Sequence, residues 1–287
     1  MSTRVWIVGP IAWDTVIYID DFPISGGFAQ CKERIDRPGG TAGNVALALA
    51  STGVETGFVT YLGNDQFGKD LESLLRNSEI KNLAINKIDG PSSHVLVTID
   101  KSANRTIFGL NKSYLNLVNL DKVDLRPDDI VCFVLWRDYF IESLRKAQQI
   151  GCKIIVGIEA LADPAVTHAD VAVGSLSDFE KEENLEKHLN RFERIVATKG
   201  ANGAVELSRG KRIYQPSIAT KVVDTTGAGD SFLAGYLAAY AKGIHGEVAL
   251  EIGARWAAMM VSMTASIPPN MNEVPGLAQL LNSDRHL

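Results

Sequence analysis

From Asp129 onward the chain keeps a regular rhythm: apolar runs at Asp129 to Leu135, Lys153 to Ile158, Asp170 to Val173 and Arg194 to Thr198, with helical patterns at Tyr139 to Ile150 and Asp178 to Asn190. Strands alternating with helices predict a parallel sheet covered on both faces, a doubly wound α/β fold. The earlier part opens the same way, with an apolar strand at Arg4 to Gly9, an Ala- and Leu-rich helix at Thr41 to Thr52, a strand at Gly57 to Leu62 and an amphipathic helix at Phe67 to Arg76. Asp14 is expected at the carboxyl end of the first strand. Between these units lie segments of a different kind. Val16 to Asp20 and Gln30 to Arg37, around Pro23, Gly26 and Gly27, alternate like an exposed hairpin, and so do Ser93 to Asp100 and Arg105 to Leu110 around a polar turn. The two hairpins are expected to share one small sheet. With helices at Ser231 to Lys242 and Gly246 to Met263 closing the chain, the expected layout is one α/β domain over residues 1–287, with segments 15–37 and 92–110 forming a small β-lid.

Bulk properties narrow the function classes. A chain of 287 residues, 46% hydrophobic and 22% charged, can bury a large core. A net charge of -5 gives no electrostatic reason for a nucleic-acid partner. Cys31, Cys132 and Cys152 are odd in number and widely spaced, which suits free thiols in a reducing compartment. No apolar stretch approaches the roughly 20 residues of a membrane helix, and no secretion signal precedes the first strand. A cytoplasmic protein without nucleic-acid or membrane partners is expected. The five histidines show no ligand spacing.

The chemistry concentrates in Asp224-Thr225-Thr226-Gly227-Ala228-Gly229-Asp230, directly before a long helical pattern. Glycines here permit positive φ and close approach of an anion, and the free N–H groups and dipole of a helix N-terminus favour negative charge. Read alone, the same residues also fit an N-cap aspartate after a strand-to-helix turn. The segment through Phe232 closely resembles the C-terminal signature of the ribokinase-like, or PfkB, carbohydrate kinases. That resemblance implies Asp230 as catalytic base and Gly227, Ala228 and Gly229 as an anion hole. A carboxylate at a helix N-terminus is expected to have a lowered pKa.

Further segments follow in the family's motif order. Pro38 to Ala46 resembles its N-terminal signature, which implies substrate contacts from Gly39, Gly40 and Asn44. Asp14 matches an aspartate that accepts hydrogen bonds from substrate hydroxyls; a turn aspartate is the alternative. Thr198 to Gly203 is similar to the nucleotide-side loop, implicating Thr198, Gly200 and Gly203 with Thr226, Gly227 and Gly229; a plain hairpin turn also fits. Where the family usually carries Asn-x-x-Glu, this chain has Ser175-Leu176-Ser177-Asp178, so Ser175 and Asp178 could serve nucleotide and magnesium, or Ser175 or Ser177 could cap a helix. The resemblance places Asp224 and Thr226 at cation-coordinating positions, while the glycine-free loop from Ser262 to Pro268 argues against potassium activation.

Arg137, and Arg105 on the lid hairpin, are basic candidates for an anionic substrate group, with a salt bridge to Asp138 or another acid as the alternative for Arg137. Trp13 and Trp136 keep open a stacking slot for a nucleoside base. The resemblance thus implies an ATP- and Mg2+-dependent kinase acting on a hydroxyl of a small sugar or sugar derivative. A nucleoside kinase and a non-catalytic sugar- or nucleotide-binding protein are the alternatives. The exposed lid strands suit a homodimer.

Overall fold

The computed structural model describes residues 3–102, 104–179 and 182–282, apart from the side chain of Asp178. In chain order its elements are β1 (Arg4–Val8), β2 (Ala12–Tyr18), β3 (Glu33–Gly39), α1 (Thr41–Ala50), β4 (Glu55–Leu62), α2 (Gln66–Arg76), β5 (Asn82–Lys87), β6 (His94–Ile99), β7 (Arg105–Gly109) and β8 (Ile130–Phe133). There follow α3 (Ile141–Ile150), β9 (Lys153–Gly157), β10 (Ala169–Ser175), β11 (Phe192–Thr198), β12 (Ala204–Ser208), β13 (Lys211–Gln215), α4 (Ala228–Ala241), α5 (Glu247–Val261) and α6 (Leu277–Asn282).

Nine strands form the main sheet in the order β13-β12-β11-β10-β9-β8-β1-β4-β5. The seven from β11 to β5 are parallel, and β12 and β13 extend the edge antiparallel. Continuous apolar runs such as β1, buried at all five residues, are what burial on both faces demands. One face packs on α1, α4 and α5; the other is covered by α3 and by the irregular segments 115–125 and 158–166. Helices α4 and α5 touch closely enough that a Cβ on Gly235 would stand 3.0 Å from the Gly253 backbone. No helix among the described residues is long and apolar enough to cross a membrane.

The second sheet, ordered β3-β2-β6-β7, is built from the two segments expected to form a lid. Its two hairpin-like halves are joined by parallel pairing of β2 with β6. The alternating pattern of its strands buries Val16, Val97 and Ile99 in a small apolar cluster, while β7 is exposed along its whole length.

Several expectations are corrected. Asp14 lies inside β2, opposite Arg37 of β3, rather than at the mouth of β1. Pro10 ends β1, and the chain pairs Ala12 with Gly39, so the lid begins earlier than its alternation indicated. Residues 178–190 hold no α-helix among the described positions but short 3-10 turns at Leu176–Asp178, Glu182–Asn184 and Glu186–His188. Between Glu182 and His188 only Leu185 is buried, too little for an amphipathic face to pack a helix. Strands β5 and β13 and helix α6 are short edge elements that sequence periodicity did not mark.

Candidate active site

Helix α4 begins at Ala228, so the first turn itself carries Gly229 and Asp230, and the N-cap is Gly227 rather than Asp230. Gly227 has φ 74°, and a Cβ there would lie 2.7 Å from Met260 and 2.9 Å from the Ser266 carbonyl. Glycine is required at this corner for both reasons. The Asp224 carboxylate accepts from Thr226 N at 2.8 Å and braces the turn from within. The N–H groups of Gly227, Gly229 and Asp230 have no backbone partner among the described residues, and a Cβ on Gly229 would meet nothing within 4 Å. Free amides facing open space at the head of a 14-residue helix are a ready site for an anion.

Asp230 is tied to the other signature. Asn44, buried in the first turn of α1, donates from Nδ2 to Asp230 Oδ2 at 2.7 Å. The corner that brings Asn44 there needs glycines: Gly40 has φ 87°, and a Cβ on Gly39 would overlap Asp14 Oδ2 at 2.1 Å. Asp14 is therefore pressed against the corner, with Ser266 Oγ donating to its Oδ2 at 3.4 Å. Asp14 Oδ1 and Asn44 Oδ1 are buried acceptors without a hydrogen-bond partner.

Burial dominates the electrostatics. It pushes the Asp230 carboxyl up to about 6, partly offset by the Asn44 hydrogen bond and the charge of Arg105 and reinforced by Asp14. Asp14 is likewise pushed up to about 6 by burial, against the pull of Arg37, the Ser266 hydroxyl and Arg105. The expected lowering of Asp230 does not occur, because loss of water outweighs the helix N-terminus. Both groups remain largely ionised at neutral pH, and each is a better proton acceptor than an exposed aspartate.

A cleft of about 690 Å³ is lined by Ser175, Leu176, Ser177, Glu182, Thr198, Lys199, Gly200 and Asn202. Ser175 both caps the following 3-10 turn, accepting from Ser177 N at 3.3 Å, and lines this cleft. Gly203 is outside the lining; it has φ 76°, and a Cβ would meet the Gln215 carbonyl at 2.0 Å, so β13 is its neighbour. Lys199, a further residue of the lining, bonds Glu182 at 3.0 Å and sits over the Tyr214 ring. The magnesium candidate Asp178 has its side chain outside the described part. Among the described residues no cluster of three His, Cys, Asp or Glu could cage a metal.

Other candidates fall elsewhere. Arg105 is exposed on β7, close enough for its charge to act on Asp14 and Asp230. Arg137 is exposed and donates to the Trp136 carbonyl at 2.6 Å, with no contact to Asp14, Asn44 or Asp230 among the described residues. Trp136 is buried in the core, its Nε1 donating to Asp163, and so offers no stacking face. Trp13 lies flat on Phe67, with ring centroids 5.3 Å apart. Two residues of the site were missed: Ser266, and Arg37, whose Nη2 stands 3.5 Å from Asp224 Oδ2. Period-two alternation from Gly39 back to Arg37 would have placed that guanidinium on the Asp14 face.

The model described as "pfkB family carbohydrate kinase" matches residues 3–127 and 157–272. A nucleoside kinase of Methanocaldococcus jannaschii is 27% identical over 282 residues, covering 90% of each chain. The fructosamine kinase FrlD of Bacillus subtilis is 28% identical over 221 residues, 71% of this chain and 76% of the relative. The solved Burkholderia thailandensis nucleoside kinase in complex with inosine superposes with a TM-score of 0.80, covering 98% of both chains at 18% identity, and so shares the fold.

Proposed function

The chain belongs to the pfkB family of carbohydrate kinases, kinases of sugar and nucleoside hydroxyls, and from that premise we propose that it transfers the γ-phosphoryl group of ATP to a hydroxyl of a small sugar or sugar derivative. The observation that carries the sugar reading is the pair of buried acceptors, Asp14 Oδ1 and Asn44 Oδ1, left without donors beside Asp230. Neighbouring hydroxyls of a polyol supply such donors, and a buried acceptor left unsatisfied costs about 1–3 kcal/mol.

Asn44 holds Asp230 Oδ2, which leaves Oδ1 for the acceptor hydroxyl. The hydroxyl oxygen attacks the γ-phosphorus, the bond to the β–γ bridging oxygen breaks, ADP leaves, and the hydroxyl proton passes to Asp230. The amides of Gly227 and Gly229 stabilise charge on the transferring group, which is where phosphoryl transfer needs it, while the expected third amide, Ala228 N–H, makes a long 3.4 Å bond to the Thr225 carbonyl. The cleft beside Ser175, Thr198 and Gly200 takes the nucleotide. Asp178 would be the carboxylate to hold a magnesium ion, which would supply positive charge to offset that of the phosphates. Among the described residues no cluster of acids or histidines would cage such an ion without the nucleotide. For a monovalent cation, Asp224 Oδ2 and Thr226 Oγ1 are buried acceptors without hydrogen bonds, but the Arg37 guanidinium already lies beside that carboxylate oxygen.

A nucleoside acceptor is the second reading, because two of the relatives above are nucleoside kinases. Burial of Trp136 and stacking of Trp13 on Phe67 favour the sugar. Exposed Phe22, Phe28, Ile107 and Leu110 around the outer lid edge support a homodimer, which sedimentation of a monomer would remove. The activity is tested by ATP consumption across neutral sugars, sugar acids, sugar phosphates and nucleosides. Turnover on a neutral sugar is expected; turnover on nucleosides alone favours the second reading, and tight binding without turnover rejects the kinase assignment.

A further inference from the structure

One short segment grips the phosphoryl-transfer turn at both ends. At the far end Asn44 bonds Asp230, and at the near end Arg37 of β3 faces Asp224. The Arg37 and Asp224 side chains are only 11% and 7% exposed, so this is a buried ion pair rather than a surface contact. Asp224 divides its work: Oδ1 receives the Thr226 amide, while Oδ2 has no hydrogen bond and looks toward the guanidinium. Val223 and Asp224 both donate their N–H to the Val261 carbonyl, so the backbone leading into the turn is anchored to α5. The carboxylate is held at Oδ1 by Thr226 N, and at Oδ2 it faces the charge of Arg37. That guanidinium stands across from Asp14 in the β2–β3 ladder, and its Nε and Nη2 are buried without hydrogen bonds.

Three carboxylates, Asp14, Asp224 and Asp230, thus gather around two guanidiniums. Arg105 is exposed on the outermost lid strand, and Arg37 is the buried one. Tyr18 completes the surroundings on β2, sensing both Asp224 and Arg37. A buried carboxylate that loses its counter-charge turns toward water, and that movement would release Thr226 N and relax the turn.

We propose that Arg37 is a positioning residue for phosphoryl transfer: from the lid it holds Asp224, and through it the amide turn at residues 226–229, in the geometry the transferring group meets. The lid then does more than cover the acceptor, because the turn is held in shape only while β3 is seated on it. This inference rests on the kinase reading above.

The test uses the full chain with the acceptor that the wild type phosphorylates. Arg37→Ala is expected to lower kcat about 10–100-fold while changing the acceptor KM less than about threefold, the scale of a misplaced group. Millimolar guanidinium ion should restore several-fold activity to Arg37→Ala but not to Asp224→Asn, and Arg37→Lys should keep more activity than Arg37→Ala. An unchanged kcat, a loss confined to the acceptor KM, or no response to guanidinium overturns the proposal. Thermal unfolding of both single variants and the double variant judges the pair without any substrate, so failure of the kinase reading registers separately. The double variant should melt within about 2 °C of the less stable single one; fully additive losses overturn the coupling.

Discussion

The main sheet and the lid are made of strands of similar length, yet they bury opposite things. Strand β1 hides every residue in a two-sided core, whereas β7 exposes every residue. The small sheet's own apolar cluster centres on three buried side chains, and beside Trp13, packed on the main core, it brings charge to the turn before α4: Asp14, Arg37 and Arg105. Stability belongs to one sheet, and half of the proposed site belongs to the other. The groups proposed to react therefore meet at a seam, where α1 and α4 contribute Asn44 and Asp230. A thin-cored element can lift and reseat at low cost, which suits a cover that must admit substrate and then exclude water.

The strongest way to sharpen this contrast is on the rigid side of the seam. Asp230→Asn is expected to reduce kcat roughly 10³-fold while leaving ATP and acceptor binding nearly intact, as steady-state kinetics and calorimetry would show. A near-normal rate would mean that another group takes the proton. Because the Asp14 and Asp230 carboxyls stand near 6 rather than 3.8, the folded state binds more protons than the unfolded one between about pH 4 and 6. Stability accordingly falls as pH rises through that window. Asp230→Asn should then melt a few degrees higher than wild type at pH 8 and gain little near pH 4. Wild-type kcat/KM should fall on the acid side of about pH 6, where these carboxylates take up protons.

Packing predicts a smaller, purely structural asymmetry. Ile7→Ala in β1 removes a fully buried side chain and should cost about 2–5 kcal/mol in denaturant unfolding. Ile107→Ala in β7, at 54% exposure, should stay within about 0.5 kcal/mol. Comparable losses at the two sites would show that the lid has a core of its own, or is covered by a partner copy.

Much of the fold was legible because period-two and period-3.6 patterns are local. The parallel strands other than β5, with α1, α4 and α5, announced themselves, and so did the two glycine corners, since positive φ leaves a visible residue choice. The 178–190 segment was misread because charged residues at helical spacing look like a helix until packing is denied them. Arg37 went unmarked because nothing in a strand's sequence says whether an inward arginine will find a carboxylate 187 positions away.

By itself the sequence determined the α/β architecture, the turn at residues 224–230 and the order of its motifs, all of which follow from local backbone preferences. Only the tertiary structure decided the protonation of Asp14 and Asp230, the burial of Trp136, the open space at Gly229 and the ion pair at Asp224. Desolvation and long-range Coulomb contacts depend on what surrounds a group in space, and the pairing of β2 with β6 and the approach of Asp14 and Arg105 to Asp230 create those surroundings.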